Sequence, residues 1–230
     1  MPILRGNSII ERLSEKSYAL FAYAFGTMGL LDELFPGLAG YNGEGVPVWS
    51  EHGTPWSILS GEGDLVAQIE RMGASDDIFI HPSATIGKCV MIEGPCYIGA
   101  NAEVRHSAFL RRGSWICQGA VVGHSSEVKN SLLLPDSKAP HFNYVGDSIL
   151  GFDVNLGAGA KLSNVRNDRR EVLVTLGDGK RVDTGLVKFG AIIGDGSQLG
   201  CNVVTNPGTI MQPLSMVSPN ETITGWFGVK

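Results

Sequence analysis

The chain has 230 residues, of which 43% are hydrophobic and 18% are charged, and its formal net charge is −5. This composition is typical of a globular protein, and the acidic balance disfavours nucleic acid or an anionic membrane as the general partner. The 31 glycines are about twice the usual share, without a collagen period, and they indicate a chain that turns often and tightly.

The first 75 residues show no regular repeat, and we predict that they are mostly helical. Helical character extends over residues 8–31. The uncharged run 17–31 is about fifteen residues long, too short to span a bilayer, and we interpret it as a buried helix. Glu11 and Lys16 precede this run, unlike the start of a signal peptide. A glycine-rich loop at 37–47 and a second helix at 55–72, with a proline near its first turn, complete the segment.

From Ile80 onward every sixth residue is aliphatic, a period that neither an α-helix nor a simple strand produces. The ten consecutive positions are Ile80, Ile86, Ile92, Ile98, Val104, Leu110, Ile116, Val122, Val128 and Leu134. The frame resumes at Leu150, Leu156 and Leu162, and again at Val187, Ile193, Leu199, Thr205, Met211, Val217 and Ile223.

A strict six-residue period predicts a chain that makes a short strand, turns and repeats. Three such units close one triangular coil, and the aliphatic residues stack inside at the ~4.8 Å spacing of paired strands. We therefore predict a mainly β domain, a parallel β-helix, over residues 76–230. Since the end of a β-helix exposes unpaired strand edges, residues 1–75 are predicted to cap it.

Two breaks interrupt the frame. Sixteen residues separate Leu134 from Leu150, which predicts a loop that protrudes at residues 135–141. The second break predicts a hairpin arm at residues 163–186, because residues 171–176 alternate like a strand and a Gly-Asp-Gly turn follows. Loops that interrupt a rigid repeat often carry binding and catalysis, although both could be purely structural.

The sequence around the first break carries specific motifs. An H-x-x-Y-x-G-D motif starts at His141, and an N-x-G-A-G motif starts at Asn155. With Lys129 upstream and Asn164 downstream, these residues resemble the acetyltransferase domain of the bifunctional uridylyltransferase/glucosamine-1-phosphate acetyltransferases, over about residues 80–225. The resemblance implies a left-handed β-helix, a homotrimer with ligand grooves between adjacent prisms, and acetyl-CoA as cosubstrate without a metal.

The same resemblance implies roles for individual residues. His141 corresponds to the general base, which suits a side chain with an unperturbed pKa near ~6.5. The positions that contact the sugar phosphate are Arg111, Lys129, Tyr144, Asn155 and Arg170. The positions near the cofactor are Ala158, Asn164, Cys201 and Pro219. Main-chain N–H groups of the turn 157–159 are candidate donors to an oxyanion.

Several alternatives stay open. His81, His106 and His124 have no matching context and are interpreted as surface or turn residues. Leu186 and Val187 stand where relatives carry basic residues, and Cys201 replaces a serine. These changes favour a rival hypothesis, a non-catalytic sugar-nucleotide-binding or regulatory β-helix. A third hypothesis is a subunit that partners a separate nucleotidyltransferase, because 75 residues cannot house that fold.

The four cysteines show no metal-binding or disulfide spacing. Cys89, Cys96, Cys117 and Cys201 form no C-x-x-C pair, and no His/Asp/Glu set has the spacing of a catalytic metal site. A reducing, cytoplasmic location fits this pattern best. The resulting prediction is a cytoplasmic acetyltransferase that acts on a small amino-sugar phosphate, with neither nucleic acid nor a membrane as partner.

Overall fold

The computed structural model describes residues 29–50 and 53–228, and it is a parallel β-helix of about eight coils. Three parallel sheets form the faces of the prism. Face A contains β1 Ile78–Ile80, β4 Cys96–Ile98, β7 Ser114–Ile116, β10 Ser131–Leu133, β13 Ile149–Leu150, β18 Ala191–Ile193, β21 Thr209–Met211 and β24 Trp226–Phe227. Face B contains β2 Thr85–Ile86, β5 Glu103–Val104, β8 Val121–His124, β11 Lys138–His141, β14 Asn155–Leu156, β19 Gln198–Leu199 and β22 Met216–Val217. Face C contains β3 Met91–Ile92, β6 Phe109–Leu110, β9 Glu127–Lys129, β12 Tyr144–Gly146, β15 Lys161–Leu162, β20 Val204–Thr205 and β23 Thr222–Ile223.

The predicted fold class is confirmed, and the architecture is consistent with the left-handed sense that the resemblance implies. The six-residue frame forms the interior of the prism, where Ile98, Val104, Leu110 and Ile116 are fully buried in one cluster. Each strand hydrogen-bonds to the equivalent strand one coil away, for example Tyr97 opposite Trp115 on face A. Stacking of the coils therefore buries a continuous apolar column.

The six-residue frame assigns two residues wrongly to the interior of the prism. Leu133 lies in the interior column, whereas Leu134 packs in a second cluster outside the prism. The turn after Val128 is one residue shorter than the turn after Leu110, so the inward residue arrives after five positions rather than six. The predicted interior residue Val187 is 47% exposed and lies before the prism resumes at β18.

The predicted loop at residues 135–141 does not protrude. Ser137 is buried, Ala139 points into the interior column, and β11 pairs with β8 on one side and β14 on the other. The shortened turns explain the irregular spacing, because a missing residue in two successive coils mimics a broken frame. His141 therefore ends a strand in the wall of the prism and is not carried on a mobile loop.

A second apolar column covers the outside of face A. The residue before each interior position on this face is large and apolar, and neighbours in the column pair across the strands. The column is Phe79, Tyr97, Trp115, Leu132, Ile149, Ile192, Ile210 and Trp226. This outer surface needs a cover, because exposed aromatic and branched side chains would leave a large apolar patch in water.

Residues 29–75 cover part of the outer surface of face A. This segment contains α1 Leu30–Leu34, α2 Leu65–Glu70 and the 3₁₀ turns Pro36–Gly40, Pro55–Leu59 and Ser75–Asp77. Its Leu34, Phe35, Trp56 and Leu65 are buried in the outer cluster. The described part of the predicted cap thus lies along a face, while Ile86 in the first coil stays 37% exposed.

The predicted helix at 55–72 is wrong in extent. Pro55–Leu59 forms a 3₁₀ turn, and the α-helix begins only at Leu65, where Asp64 accepts the N–H of Ala67 as the N-cap. Gly61 and Gly63, both with positive φ, separate the two elements because glycine adopts this region freely. The helix predicted over residues 8–31 lies mostly outside the described residues.

An antiparallel hairpin follows Asn164, with β16 Leu173–Thr175 paired to β17 Arg181–Asp183. It does not project as an arm. Val172 and Val174 are buried, and they pack in the outer cluster with Phe189 and Ile210. The hairpin therefore covers the last part of the outer surface of face A, because its alternating apolar residues face the prism.

Asp195 ties the N-terminal segment to the prism. Its carboxylate is 2% exposed and accepts the N–H groups of Gly37 and Phe152, both at 2.8 Å. Burial raises the pKa of Asp195 to about 7, although the two hydrogen bonds oppose the shift. A carboxyl whose pKa is higher in the folded state contributes stability below its unfolded pKa, and this contribution is lost as the pH rises through the folded value.

We expect an Asp195→Asn variant to lose part of the pH dependence of stability. As the pH rises from about 5 to about 8, the Tm of the wild-type chain should fall relative to that of the variant, since only the wild type must ionise a buried carboxyl. Calorimetric scans across this range measure the difference. A constant difference in Tm at every pH would show that Asp195 does not titrate in the folded state.

Candidate functional site

The turns between face B and face C stack into one column, which we call the BC corner. It contains His124, His141, Ala158, Cys201 and Pro219, each at the equivalent position of its coil. Main-chain hydrogen bonds fix this order: Phe142 N–H donates to His124 O, Gly159 N–H to His141 O, Asn202 N–H to Ala158 O and Asn220 N–H to Cys201 O, at 2.8–2.9 Å. Successive coils are ~4.8 Å apart.

The BC corner brings together the predicted base and three of the four predicted cofactor positions. His141 is exposed, and Ala158 lies at the equivalent position of the next coil. Cys201 and Pro219 occupy this position in the two coils after that. The main chain is tightly packed here, since a Cβ added to Gly157 would lie 2.4 Å from the N atom of Cys201. Within the described chain, no acceptor lies on the N–H of Ala158.

A charged cluster lies on face C. Arg111 donates to Glu127 at 3.0 Å and also lies 3.8 Å from Glu93. Hydrogen bonding to Glu127 raises the pKa of Arg111, so its guanidinium is firmly charged. Lys129 is paired across the strands with Gly146, two residues after Tyr144. Arg111, Lys129 and Tyr144 therefore lie on one face, with Tyr144 at its BC edge and Lys129 toward the opposite edge.

Asp147 organises this cluster from the opposite edge of face C. Its side chain is 5% exposed, and it accepts hydrogen bonds from Lys129 at 3.3 Å, from Asn130 at 2.9 Å and from the amide of Asn164. A buried carboxylate with three donors is well satisfied, and it holds the Lys129 ammonium in place. Burial, followed by the charge of Asp147, raises the pKa of Tyr144, so its hydroxyl stays protonated as a donor.

The remaining predicted residues are separated. Asn164 was assigned to the cofactor, but it contacts Asp147 on the far edge of face C rather than the BC corner. Arg170 is exposed in the segment that leads to the hairpin, and its N–H donates to Asp168. Asn155 lies on face B opposite Lys138, three residues before Ala158. Asn155 and Tyr144 thus flank the BC corner from its two sides.

Sequence reasoning missed three contributors to this region. His106 and His124 are turn residues of the two coils before His141, and their rings stack with centroids 4.0 Å apart, which was not predicted. Their spacing of 18 residues equals one full coil, which is a usable signal. Asn143 is 2% exposed beneath the same corner, and only the three-dimensional register reveals its contacts.

Two clefts lie elsewhere. One of about 670 Å³ is lined by residues 44–50, Gln68 and Trp115, and another of about 700 Å³ is lined by Leu30, Leu176 and Trp226.

Within residues 29–50 and 53–228, no group of three or more His, Cys, Asp or Glu side chains is arranged to hold a metal ion. None of the helices in those two ranges combines the length and apolar character that crossing a bilayer requires.

Comparison with known proteins identifies relatives of the prism. The model of the family described as GMPPB C-terminal domain matches residues 92–225. The bifunctional sugar-1-phosphate nucleotidylyltransferase/acetyltransferase of Sulfurisphaera tokodaii is 34% identical over 193 residues, covering 76% of this chain and 46% of the relative. The bifunctional protein GlmU of Methanococcus aeolicus is 30% identical over 190 residues, covering 75% and 44%.

The chain spans somewhat less than half the length of these curated relatives. Among solved structures, the acetyltransferase domain of PglB from Neisseria gonorrhoeae, in complex with acetyl coenzyme A, aligns over 86% of each chain. The alignment has a TM-score of 0.34 and 17% identity.

Proposed function

The chain belongs to the family of the GMPPB C-terminal domain, and from this premise we propose that it transfers an acetyl group from acetyl-CoA to an amino-sugar phosphate. The observation that carries the proposal is the BC corner, where His141, Ala158, Cys201 and Pro219 stack in successive coils. The name of the Sulfurisphaera tokodaii relative includes an acetyltransferase activity, which supports the same reaction.

His141 is proposed as the general base. Acetyl transfer to an amine needs a neutral nucleophile and a group that accepts its proton. An imidazole, with an ordinary pKa near ~6.5, accepts a proton readily near neutral pH. The exposed ring at the BC corner can meet an acceptor that lies along face C, because Tyr144 on that face is only three residues away, at most ~10 Å along the chain.

The N–H of Ala158 is proposed to stabilise the oxyanion that develops on the acetyl carbonyl. Acetyl-CoA supplies an activated thioester, and the corner residues supply its surroundings. The Ala158 N–H has no acceptor within the described chain, so it is available to a ligand. Oriented donors of this kind are often worth 10²- to 10³-fold in kcat, about 2.7–4 kcal/mol.

Arg111 and Lys129 are proposed to bind the phosphate of the acceptor, with Tyr144, Asn155 and Asn164 near the sugar. Glu127 and Asp147 hold the two cations at fixed positions, which reduces the entropy lost on binding. We include Arg170, which is exposed in the segment before the hairpin, as a further cation. This proposal assigns Asn164 to the sugar rather than to the cofactor, because Asn164 and Lys129 both donate hydrogen bonds to Asp147.

A homotrimer is part of the proposal. The BC corner is a convex edge of the prism, so a ligand lying on it is covered on one side only by its own chain. Phe142, adjacent to His141, leaves 57% of its surface exposed at this edge. A neighbouring copy would supply the second wall and exclude water from the reacting atoms.

Thiol release from acetyl-CoA in the presence of glucosamine 1-phosphate tests the proposed function. We expect acceptor-dependent release by the wild-type chain, followed spectrophotometrically. The non-catalytic alternative would be favoured if no thiol were released and calorimetry detected no binding of acetyl-CoA at about millimolar concentration. A Kd of about 1 mM corresponds to a binding free energy of about −4 kcal/mol.

Lys129→Met should weaken acceptor binding with little effect on the chemical step. Hydrogen bonds to charged groups contribute about 1.5–3 kcal/mol, so the KM for the sugar phosphate should rise roughly 10- to 100-fold while kcat stays within about threefold. Lys180→Met is the control, because Lys180 is exposed in the turn of the hairpin that covers face A, away from face C. A normal KM in Lys129→Met would contradict the phosphate assignment.

A further inference from the structure

We propose that Asn143 is a positioning residue, which fixes the proposed base and the proposed oxyanion donor in one rigid unit. This inference rests on the proposed function and adds to it a residue that never touches the ligand. Asn143 is 2% exposed and lies beneath the BC corner. Its single side-chain amide bonds the main chain of two successive coils, which are the coils that contain His141 and Ala158.

The first contact holds His141. The Oδ1 atom of Asn143 accepts the N–H of His141 at 2.9 Å. The N–H of Asn143 itself donates to Ser126 Oγ at 3.1 Å, which anchors the asparagine to the coil before. The buried Asn143 side chain therefore links the main chain of His141 to the preceding coil. The Cα atom of His141, from which the imidazole extends, has little freedom to move.

The second contact orients Ala158. The Nδ2 atom of Asn143 donates to Gly157 O at 2.8 Å and also lies 3.4 Å from Ala160 O. Gly157 O therefore points inward. Because the peptide bond is planar and trans, the N–H of Ala158 in the same peptide unit points the opposite way, out of the prism. Gly157 O also accepts the N–H of Ala160 at 3.1 Å, so Asn143 adds a second, buried hydrogen bond that holds the proposed oxyanion donor toward the ligand.

Comparison of the two coils explains why one N–H is capped and the other is free. His141 and Ala158 occupy equivalent corner positions, and Asn143 and Ala160 follow each of them by two residues. Asn143 has an oxygen that caps the N–H of His141, whereas Ala160 has none. The Ala158 N–H therefore has no side-chain acceptor of its own, and Asn143 helps to fix its direction through Gly157 O.

Packing does not require an asparagine at this position. Equivalent positions in neighbouring coils are occupied by Ala108, Ser126 and Ala160, all of them small. Replacement of Asn143 by alanine or serine therefore leaves a side chain that this column already accommodates. The variants are expected to fold, and the hydrogen bonds of the amide are what they lose.

Asn143→Ala and Asn143→Ser test the inference in the full-length chain. We expect kcat for acetyl transfer to fall about 10- to 100-fold, since a misdirected oxyanion donor loses much of its effect. The KM for the sugar phosphate should stay within about twofold, because Arg111 and Lys129 on face C are unchanged. In ¹⁵N-labelled protein, hydrogen exchange at His141 should accelerate, because its N–H loses its acceptor.

Ser137→Ala is the matched control. Ser137 is fully buried at a different corner and donates to Leu134 O at 2.6 Å, and Ala120 holds the equivalent position one coil before. This variant loses a buried hydrogen bond of similar kind but should keep wild-type kcat. A fall in kcat equal to that of Asn143→Ala would mean that general loss of stability, rather than positioning, causes the effect.

The outcomes separate this inference from the proposed function. If the wild type is active and both Asn143 variants have a kcat within twofold of the wild-type value, the positioning role alone is overturned. An inactive wild type would overturn the proposed function, and the exchange rate at His141 would still test the hydrogen bond. Unchanged exchange at His141 in Asn143→Ala would refute the geometric basis in either case.

Discussion

His141→Asn is expected to lower kcat for acetyl transfer by about 10²- to 10⁴-fold, the range that a positioned general base contributes. Asparagine keeps a polar side chain of similar size but cannot accept the proton of the attacking amine. Because the ring is exposed at the end of β11, the substitution should leave the fold and the affinity for acetyl-CoA almost unchanged. Initial rates of thiol release and calorimetric binding measure the two quantities separately.

His81→Asn is the control for this experiment. His81 lies in the first coil, where its Nδ1 atom is 2.8 Å from Ser83 Oγ, and it is remote from the BC corner. Its replacement should leave kcat at the wild-type value. Wild-type turnover by His141→Asn would remove the base assignment, whatever the control shows.

Trp115→Ala is expected to have the largest effect on stability, about 3–5 kcal/mol in the free energy of unfolding, as for other buried aromatic truncations. Trp115 is 2% exposed, its ring stacks on Tyr97 at 4.6 Å, and its N–H donates to Gly45 O at 2.8 Å. It therefore joins the outer surface of face A to the covering segment. Denaturant unfolding measures the loss, and proteolysis should cleave residues 44–50 sooner.

Val48→Ala is the matched control for Trp115→Ala, since Val48 lies in the same segment with 75% of its surface exposed. Its loss should stay below about 0.5 kcal/mol. An unfolding free energy of Trp115→Ala within about 1 kcal/mol of wild type would show that the aromatic column does not anchor the segment.

The interior of the prism was predictable because one rule governs it. Every inward position must be filled by an aliphatic side chain, so the period appears directly in the sequence. The outer column on face A obeys the same geometry one residue earlier, with Phe79, Tyr97 and Trp115 spaced at 18 residues. This spacing is a usable signal, although it is weaker than the inward frame, which recurs on all three faces.

The prediction of a protruding loop at residues 135–141 was wrong for a local reason. A turn that is one residue shorter shifts the frame without breaking the wall, and spacing alone cannot distinguish a deletion in a turn from an inserted loop. The shortened turns contain Asn130 and Asp147, both with positive φ. Asp147 holds Lys129, and Asn130 donates to Asp147, so the irregularity in the frame marks the face C cluster and not a loop.

The candidate site was predictable in part. The spacing of His141, Ala158 and Cys201 places them in one column only once the true coil lengths are known, and the resemblance supplied these residues without that geometry. The motif that starts at His141 ends at Asp147, but the roles of Asp147 and Asn143 could not be predicted, because they depend on contacts with residues one coil away. Buried polar residues of this kind show no period, and their meaning comes from register.

A crystal structure of the full chain with bound CoA tests the central claim most directly. We predict that the thiol lies beside the N–H of Ala158 at the BC corner, between two copies of the chain, with the rest of the molecule following Cys201 and Pro219. CoA bound instead in the cleft beside residues 44–50, or on any surface remote from His141, would contradict the account.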